Sequence, residues 1–428
     1  MAQTIQISEF GSLIANRTVA GYTTIPEHTF QSLQRFLLES RGRKNALEFM
    51  TVTARRGLGT VITAQNYVGL IAMNDGTTIE ILPKIHSVEV EDSDGSLSKK
   101  VLLDMLRVLP HTPFKTIQSS SMQTAKLPLL EIFIRKFLDE LLVIVKHGLR
   151  CDYNRSEANE PFFKGQMVFP QQIRHNYVHQ ERNYIRYDEF NTNCPENRIL
   201  KSTLSLLYQR SSSANNRRDI KILLGSFESI PPSDNYDADF AKCSYGRDAK
   251  DYRTALLWAK VFLNGQSFTA YTGSDIALAL LYPMETLFEN YIAHLLKREL
   301  DGTLYSVSIQ EKKHYLFDDP EKHFSLKPDI VVRRRSDNQI FILDTKWKLL
   351  SLYKPNYGIS QADMYQMYVY QKRYDAASVT LVYPKSAQLS PEQKITYASK
   401  DHAQVHVNFV DLFHIKDSIG ILKDTFQA

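Results

Sequence analysis

Residues 326 to 350, LKPDIVVRRRSDNQIFILDTKWKLL, put Pro-Asp ahead of one short apolar run and Asp-Thr-Lys at the end of the next. The polar SDNQ between the runs reads as a turn, so the two fold back on each other as a hairpin. Asp329, at the start of the first strand, then lies near Asp344 and Lys346, at the end of the second. Side chains alternate across a strand, and residues two apart share a face, which places Asp344 and Lys346 together. Asp329 and Asp344 would make a hard-oxygen site for Mg²⁺, with Mn²⁺ as a substitute, because such ions take a few carboxylates and retain several waters. A lysine beside them can orient or deprotonate a water, or offset charge developing on a phosphoryl group. These are the groups that metal-assisted phosphodiester hydrolysis requires. A lone Asp-x-Lys carries almost no weight, since most such pairs are surface ion pairs. The specificity comes from a second carboxylate, separated from the first by fourteen intervening residues, at the matching end of a neighbouring strand.

Such a site needs a rigid frame. A helix is expected over about 275–298, where Met284, Leu287, Phe288, Tyr291, Ile292, Leu295 and Leu296 recur at helical spacing. Glu289 lies beside that stripe and borders the core, within reach of the sheet, although an ordinary boundary glutamate fits the position equally well. Strands follow at 304–309, 329–333 and 340–345, then a helix over 360–374 and strands at 379–383 and 405–409. The order αβββαβ is that of a mixed sheet flanked by helices. On the second helix Asp363, Gln366 and Tyr370 are three and four apart and share a face, a pattern that suits either a supporting role at the site or plain solvent exposure.

The remainder is long enough for further domains, since single domains run to roughly 100–200 residues. Residues 1–95 read as a small β-rich domain, with a hairpin at Asn74-Asp75-Gly76. An acidic polar stretch, VEVEDSDGSLSKK, leads into a mainly helical middle region over 100–265, in which Leu129, Ile132, Phe133, Phe137, Leu141 and Ile144 form one apolar stripe and Gly148 a C-cap. Lys164, Arg174, His175, Arg182, Arg186 and Arg198 lie among aromatics, as in a nucleic-acid surface, but an exposed helical face accounts for them more simply. The net charge of +5 is compatible with polyanion binding without requiring it. Three widely spaced cysteines, Cys151, Cys194 and Cys243, with no CxxC pair, argue against a disulfide framework or a structural zinc site. No secretory leader and no spanning apolar run is evident, so a soluble cytoplasmic protein without membrane contact is expected. The absence of GxxxxGK[ST] implies that the chain does not itself bind nucleotide through a P-loop.

The carboxylate and lysine pattern resembles the PD-(D/E)XK nuclease superfamily, whose metal carboxylates and lysine correspond to Asp329, Asp344 and Lys346. The acidic residue of its first helix would be Glu289, and Gln366 would match a glutamine that several restriction nucleases carry on the next helix. Over most of the chain, IEILPKI, FFKGQMVFPQQIRHN, YDEFNTNCPENRILKSTL, LFENYIAHLL, KPDIVV, ILDTKWK and DMYQMYVYQ resemble the McrC family in order and spacing. That resemblance implies an α+β multidomain protein with an N-terminal β-rich partner-binding domain (1–95), a helical middle region (100–265) and a C-terminal PD-(D/E)XK domain (270–428). It further implies a Mg²⁺-dependent, type IV-like restriction endodeoxyribonuclease acting on double-stranded DNA in phage defence. An McrB-like AAA+ GTPase hexamer would be the partner, supplying GTP hydrolysis, recognition of 5-methylcytosine and translocation, and residues 163–206 would be structural or partner-facing. Two other readings compete: a non-catalytic activator of a motor NTPase, and a stand-alone repair nuclease of the same fold. The intact acidic pair and lysine favour the enzyme, and the long N-terminal region argues against the solitary nuclease.

Overall fold

The structure, a computed structural model, describes residues 3–39, 49–85, 92, 94–117, 126–243, 251–264, 276–319, 321–389 and 392–426. The chain folds as two compact units, one of Met1–Pro128 with Ser267–Ala428, the other of Leu129–Gln266.

Short strands open the first unit: β1 (Thr4–Ser8), β2 (Ser12–Ala15), β3 (Thr23–Ile25), then helix α1 (Glu27–Glu39), β4 (Met50–Arg55), β5 (Gly59–Ala64), β6 (Tyr67–Met73) and β7 (Thr78–Leu82). One sheet has the order β3-β2-β5-β4, and β1, β7 and β6 are neighbours in a second. Leu13, Phe36, Ile71 and Ile81 are among the buried residues of their common core. The expected hairpin joins β6 to β7, with Gly76 at φ 88° in the turn.

Helix α2 (Ser96–Arg107) is fastened to this core by charge. Glu80, in the middle of β7, is fully buried, and Lys99 Nζ lies 2.9 Å from its Oε2 and donates to the Leu127 carbonyl at 3.0 Å. Gln6 Nε2 also donates to Glu80. Removing one partner of such a pair strands the other charge in a low dielectric, which costs about 3–5 kcal/mol, whereas an apolar pair of similar volume can be neutral. Lys99→Met should therefore lower stability by about that amount, and Glu80→Leu added to it should restore most of the loss; chemical denaturation of the three proteins checks this, and equal losses in the single and double variants would contradict it.

The second unit begins with α3 (Leu129–His147), whose six expected core residues are all buried, and which ends before Gly148 at φ 94°. The helical expectation then needs correction. β8 (Asp152–Glu160), β9 (Gln166–Met167) and β10 (Asn183–Asn191) form a sheet in the order β8-β10-β9, with the short helix α4 (Phe169–Asn176) between β9 and β10. Of the residues of β8 and β10, Ile185 alone is buried, so no period-two apolar signal exists. The ladder is instead laced by cross-strand contacts such as Arg186 to Glu157 at 2.6 Å and Tyr153 against Phe190 at 5.0 Å. Arg186 is thus on a strand and Lys164 sits over the Tyr187 ring, while Arg198 pairs with Asp239 at 2.7 Å. Helices α5 (Pro195–Arg210), α6 (Ala214–Ser226), α7 (Tyr236–Lys242) and α8 (Tyr252–Asn264) complete the unit. All three cysteines are free thiols.

On its return to the first unit, the chain forms β11 (Ile276–Pro283), where the sequence reading placed the start of a helix. β11 pairs antiparallel with β6 and completes the sheet β1-β7-β6-β11. Leu278 to Tyr282 are all buried, and a strand covered on both faces reads as a continuous apolar run that periodicity cannot separate from a buried helix. The approach is close at Gly69, φ 134°, where a Cβ would lie 1.9 Å from the Leu280 carbonyl oxygen. Pro283 ends the strand and caps α9 (Met284–Leu300).

Beyond α9 come β12 (Tyr305–Ile309), a small hairpin of β13 (Tyr315–Phe317) and β14 (His323–Ser325), β15 (Ile330–Arg334), β16 (Ile340–Thr345), α10 (Gln361–Tyr374), β17 (Ser378–Pro384), β18 (Ile395–Ala398), β19 (Gln404–Val410) and α11 (Ile415–Asp424). The six-stranded sheet runs β12-β15-β16-β17-β19-β18, antiparallel from β12 to β16, parallel from β16 through β17 to β19, and antiparallel again at β18. Ile342, Leu381 and Val407 of the sheet pack with Met367 and Tyr370 of α10 in one core. Among the described residues, no helix is long and apolar enough to cross a membrane.

Candidate active site

The register of β15 on β16 pairs Ile330 with Leu343, so one step further Asp329 stands opposite Asp344. Asp329 is held from two sides. Its carbonyl accepts the Gln310 N–H at 2.9 Å, and its Oδ2 accepts the Thr345 N–H at 2.7 Å and the Thr345 hydroxyl at 2.8 Å. Asp344 is 1% exposed, and its Oδ2 lies 2.6 Å from Lys346 Nζ in an ion pair without the alignment of a hydrogen bond. The Lys346 N–H donates to the Val382 carbonyl at 2.9 Å, so the lysine backbone is still part of the parallel edge between β16 and β17.

From α10, Gln366 Oε1 accepts from Lys346 Nζ at 3.4 Å, and its Nε2 donates to the Tyr370 hydroxyl at 2.7 Å. Asp363 Oδ1 stands 4.0 Å from the same ammonium, and the Ser360 hydroxyl caps the helix by accepting the Asp363 N–H. Glu289, on α9, accepts from Gln310 Nε2 at 2.6 Å. The structure therefore brings Asp329, Asp344, Lys346 and Gln366 together, and Gln310 links Glu289 to Asp329 through one side chain and one N–H.

Burial, reinforced by the charge of Asp329, pushes the Asp344 carboxyl up to about 7 despite the opposing pull of Lys346. Burial also raises Asp329, against the two Thr345 hydrogen bonds that favour its anion. Glu289 is raised by burial and by Asp329. For Lys346, burial alone would lower the value, but Asp344 outweighs it and the ammonium is held above its usual range. Two facing carboxylates with a third nearby and one ammonium leave this cluster short of positive charge. Among the described residues no group of three or more His, Cys, Asp or Glu is poised as a complete metal cage. A pair of carboxylates, one with an unaligned buried oxygen, is nevertheless the donor set an ion that keeps most of its waters accepts, so Asp329 and Asp344 would hold it.

Sequence reasoning missed the supports. Trp347, next after Lys346, packs its ring on Phe288 at 5.3 Å, beside Glu289. Its indole N–H is shared between both carboxylate oxygens of Glu9, at 3.0 and 3.2 Å, while Glu9 Oε2 also accepts the Lys84 N–H at 3.0 Å. Burial raises Glu9 to about 7, opposed by those two donors and reinforced by Glu285. A carboxylate just past β1 thus clamps the residue that separates Lys346 from the α9 core. Thr345 was visible as the middle of Asp-Thr-Lys, whereas nothing in the sequence marks Glu9 or Gln310.

These features define a mixed α/β multidomain protein with a buried carboxylate and lysine centre at the ends of two interior strands of its C-terminal sheet. A family model, McrBC 5-methylcytosine restriction system component, matches residues 62–384, and the chain belongs to that family. It is 23% identical over 212 residues to the type IV methyl-directed restriction enzyme EcoKMcrBC of Escherichia coli K12, a match covering 48% of this chain and 61% of that protein, so the chain spans about three fifths of that relative's length. Its fold is similar to that of a chain in the half-complex of the tetradecameric assembly of Thermococcus gammatolerans McrB AAA+ hexamers with bound McrC, with a TM-score of 0.70, 19% identity, and 99% and 100% of the two chains covered. A chain of the Thermococcus gammatolerans McrBC complex matches with a TM-score of 0.50 and 19% identity over 70% of this chain and 88% of that one.

Proposed function

We propose that the chain is the McrC-type nuclease subunit of a McrBC-like restriction complex, a PD-(D/E)XK endodeoxyribonuclease that cuts double-stranded DNA with Mg²⁺ and stimulates an McrB-like AAA+ GTPase. The observation that carries this reading is the convergence of Asp329, Asp344 and Lys346 at the end of one hairpin, with Gln366 against the lysine. Residues 270–428 would carry the nuclease domain, with β11 contributed to the N-terminal sheet, 1–95 the partner-binding domain, and the middle region would begin at Leu129 instead of residue 100. Membership of the family and the hexamer-containing assembly of the similar structure support the choice of partner.

When bound, Mg²⁺ supplies Lewis acidity and lowers the pKa of a water. The chain supplies the rest. Thr345 fixes Asp329 with two hydrogen bonds, so one carboxylate is already oriented before any ion arrives. Lys346, kept protonated by Asp344, positions the attacking water and offsets charge on the phosphoryl oxygens. Gln366 restrains the lysine. Glu289, its carboxyl raised by burial and by Asp329 and held by Gln310, would assist the carboxylate pair from α9.

The test is reconstitution with the AAA+ partner, scoring DNA cleavage and GTP hydrolysis in parallel. Asp329→Ala should stop cleavage and leave GTPase stimulation intact. Cleavage unchanged in that variant overturns the assignment, stimulation without cleavage by the unaltered chain favours the non-catalytic activator, and cutting by the chain alone favours the solitary nuclease.

A further inference from the structure

A cavity of about 850 Å³ opens between α2, the 3-10 turn Pro113–Thr116, α9 and α11, all within the first unit. Tyr291, His294, Leu295 and Arg298, which line it, recur at three- and four-residue spacing on one helix face, and Glu289 projects from the opposite one.

The walls divide by chemistry. Val108, Leu295, Ile415 and Ile419 with the Tyr291 ring make an apolar floor. Around it stand Arg107, Lys115, Arg298 and Lys416, against two acids, Asp104 and Glu299. Both acids are engaged, Asp104 with Arg107 at 3.3 Å and Glu299 with Lys423 at 3.9 Å. Lys115, Arg298 and Lys416 have no ion pair to a described residue. Burial, then Arg298, Lys115 and Arg107 in that order, hold the His294 imidazole below its usual range. Unneutralised cations converging on a concave apolar surface repel one another, and an anion placed among them relieves that repulsion.

We propose that this cavity binds a nucleoside phosphate, with the phosphate among Lys115, Arg298 and Lys416 and the base over the apolar floor at Tyr291. The volume suits a ligand of that size, and a guanidinium meets two phosphate oxygens at once. The ligand is either a free nucleotide, taken without a P-loop, or one unit of a nucleic acid strand.

Calorimetric titration of the full chain, without divalent metal, uses three probes: deoxyadenosine monophosphate, deoxyadenosine, and a short 5′-phosphorylated single-stranded oligonucleotide. At least one phosphorylated probe should bind once per chain, with deoxyadenosine weaker by about tenfold or more. Arg298→Ala combined with Lys416→Ala should weaken binding by about tenfold or more. In the unaltered chain, the His294 titration followed by NMR should move upward on binding, as an anion replaces cations in its surroundings. Preference for the oligonucleotide assigns the strand, and equal binding of the mononucleotide assigns the free ligand. Binding that ignores the phosphate, survives the paired substitution, fails for both phosphorylated probes at about 1 mM or leaves His294 unmoved overturns the proposal.

Discussion

Lys346→Met should reduce DNA cleavage by the reconstituted complex about 10²–10³-fold, the usual effect of removing one aligned electrostatic donor, with GTPase stimulation retained. Methionine keeps most of the aliphatic volume, so the loss reports the charge. The same substitution has a second consequence. Lys346 is the attractive influence that opposes burial and Asp329 in setting the Asp344 carboxyl. Without it Asp344 holds its proton to higher pH, and a protonated carboxyl is a poor metal ligand. The residual activity should therefore require more Mg²⁺ and shift its acidic limb upward in pH. Measuring cleavage against pH at several Mg²⁺ concentrations separates the two effects; a parallel drop without any shift would leave the lysine no part in setting Asp344.

Asp344→Asn should abolish cleavage and yet make the metal-free protein more stable at pH 8. The sign follows from the direction of the shift. The folded carboxyl titrates near 7, above its ordinary value of 3.8, so between those values the native state binds more protons than the unfolded chain. Stability is thus present in full at low pH and is lost as pH rises through about 4 to 7. Asparagine has no charge to bury and escapes that loss. At about 1.4 kcal/mol per pKa unit, and with Asp329 sharing the burden, a gain on the order of 2 kcal/mol is expected at pH 8, fading toward pH 4. Mg²⁺ should close the gap, because an ion that binds only the folded wild type stabilises it by mass action. Thermal melts at pH 4 and pH 8, each with and without Mg²⁺, test all of this. An Asp344→Asn protein less stable than wild type at pH 8 without metal would mean that the carboxylate holds the fold together. The trade of stability for function at one buried residue is common at active sites.

The hairpin and its polar ends were legible because their signals are local. Strand parity joined Asp344 to Lys346, a turn of definite length brought Asp329 near, and helical spacing grouped Gln366 with Asp363 and Tyr370 on one face of α10, whose contact with the lysine only the structure shows. Glu289 could be read only as bordering the core, since its partner Gln310 lies beyond a strand boundary. Other features left no local trace. β11 was concealed because a strand buried on both faces lacks alternation, and β8 and β10 because strands exposed on both faces lack it as well. The Glu9 and Trp347 contact spans most of the chain, and a sequence offers no period linking residues so far apart.

The pairing of β6 with β11 also has a consequence for the ribosome. The sheet that begins at Thr4 is not finished until Pro283 has been made, about two hundred residues after its neighbour β6. At translation rates of roughly 5–20 residues per second, the exposed edge of β6 waits about 10–40 s for its partner. Leu129–Gln266 is synthesised within that interval and can fold as a unit while the first remains open. A nascent chain stalled before residue 276 should therefore present an unpaired apolar strand edge, the kind of surface that chaperones cover.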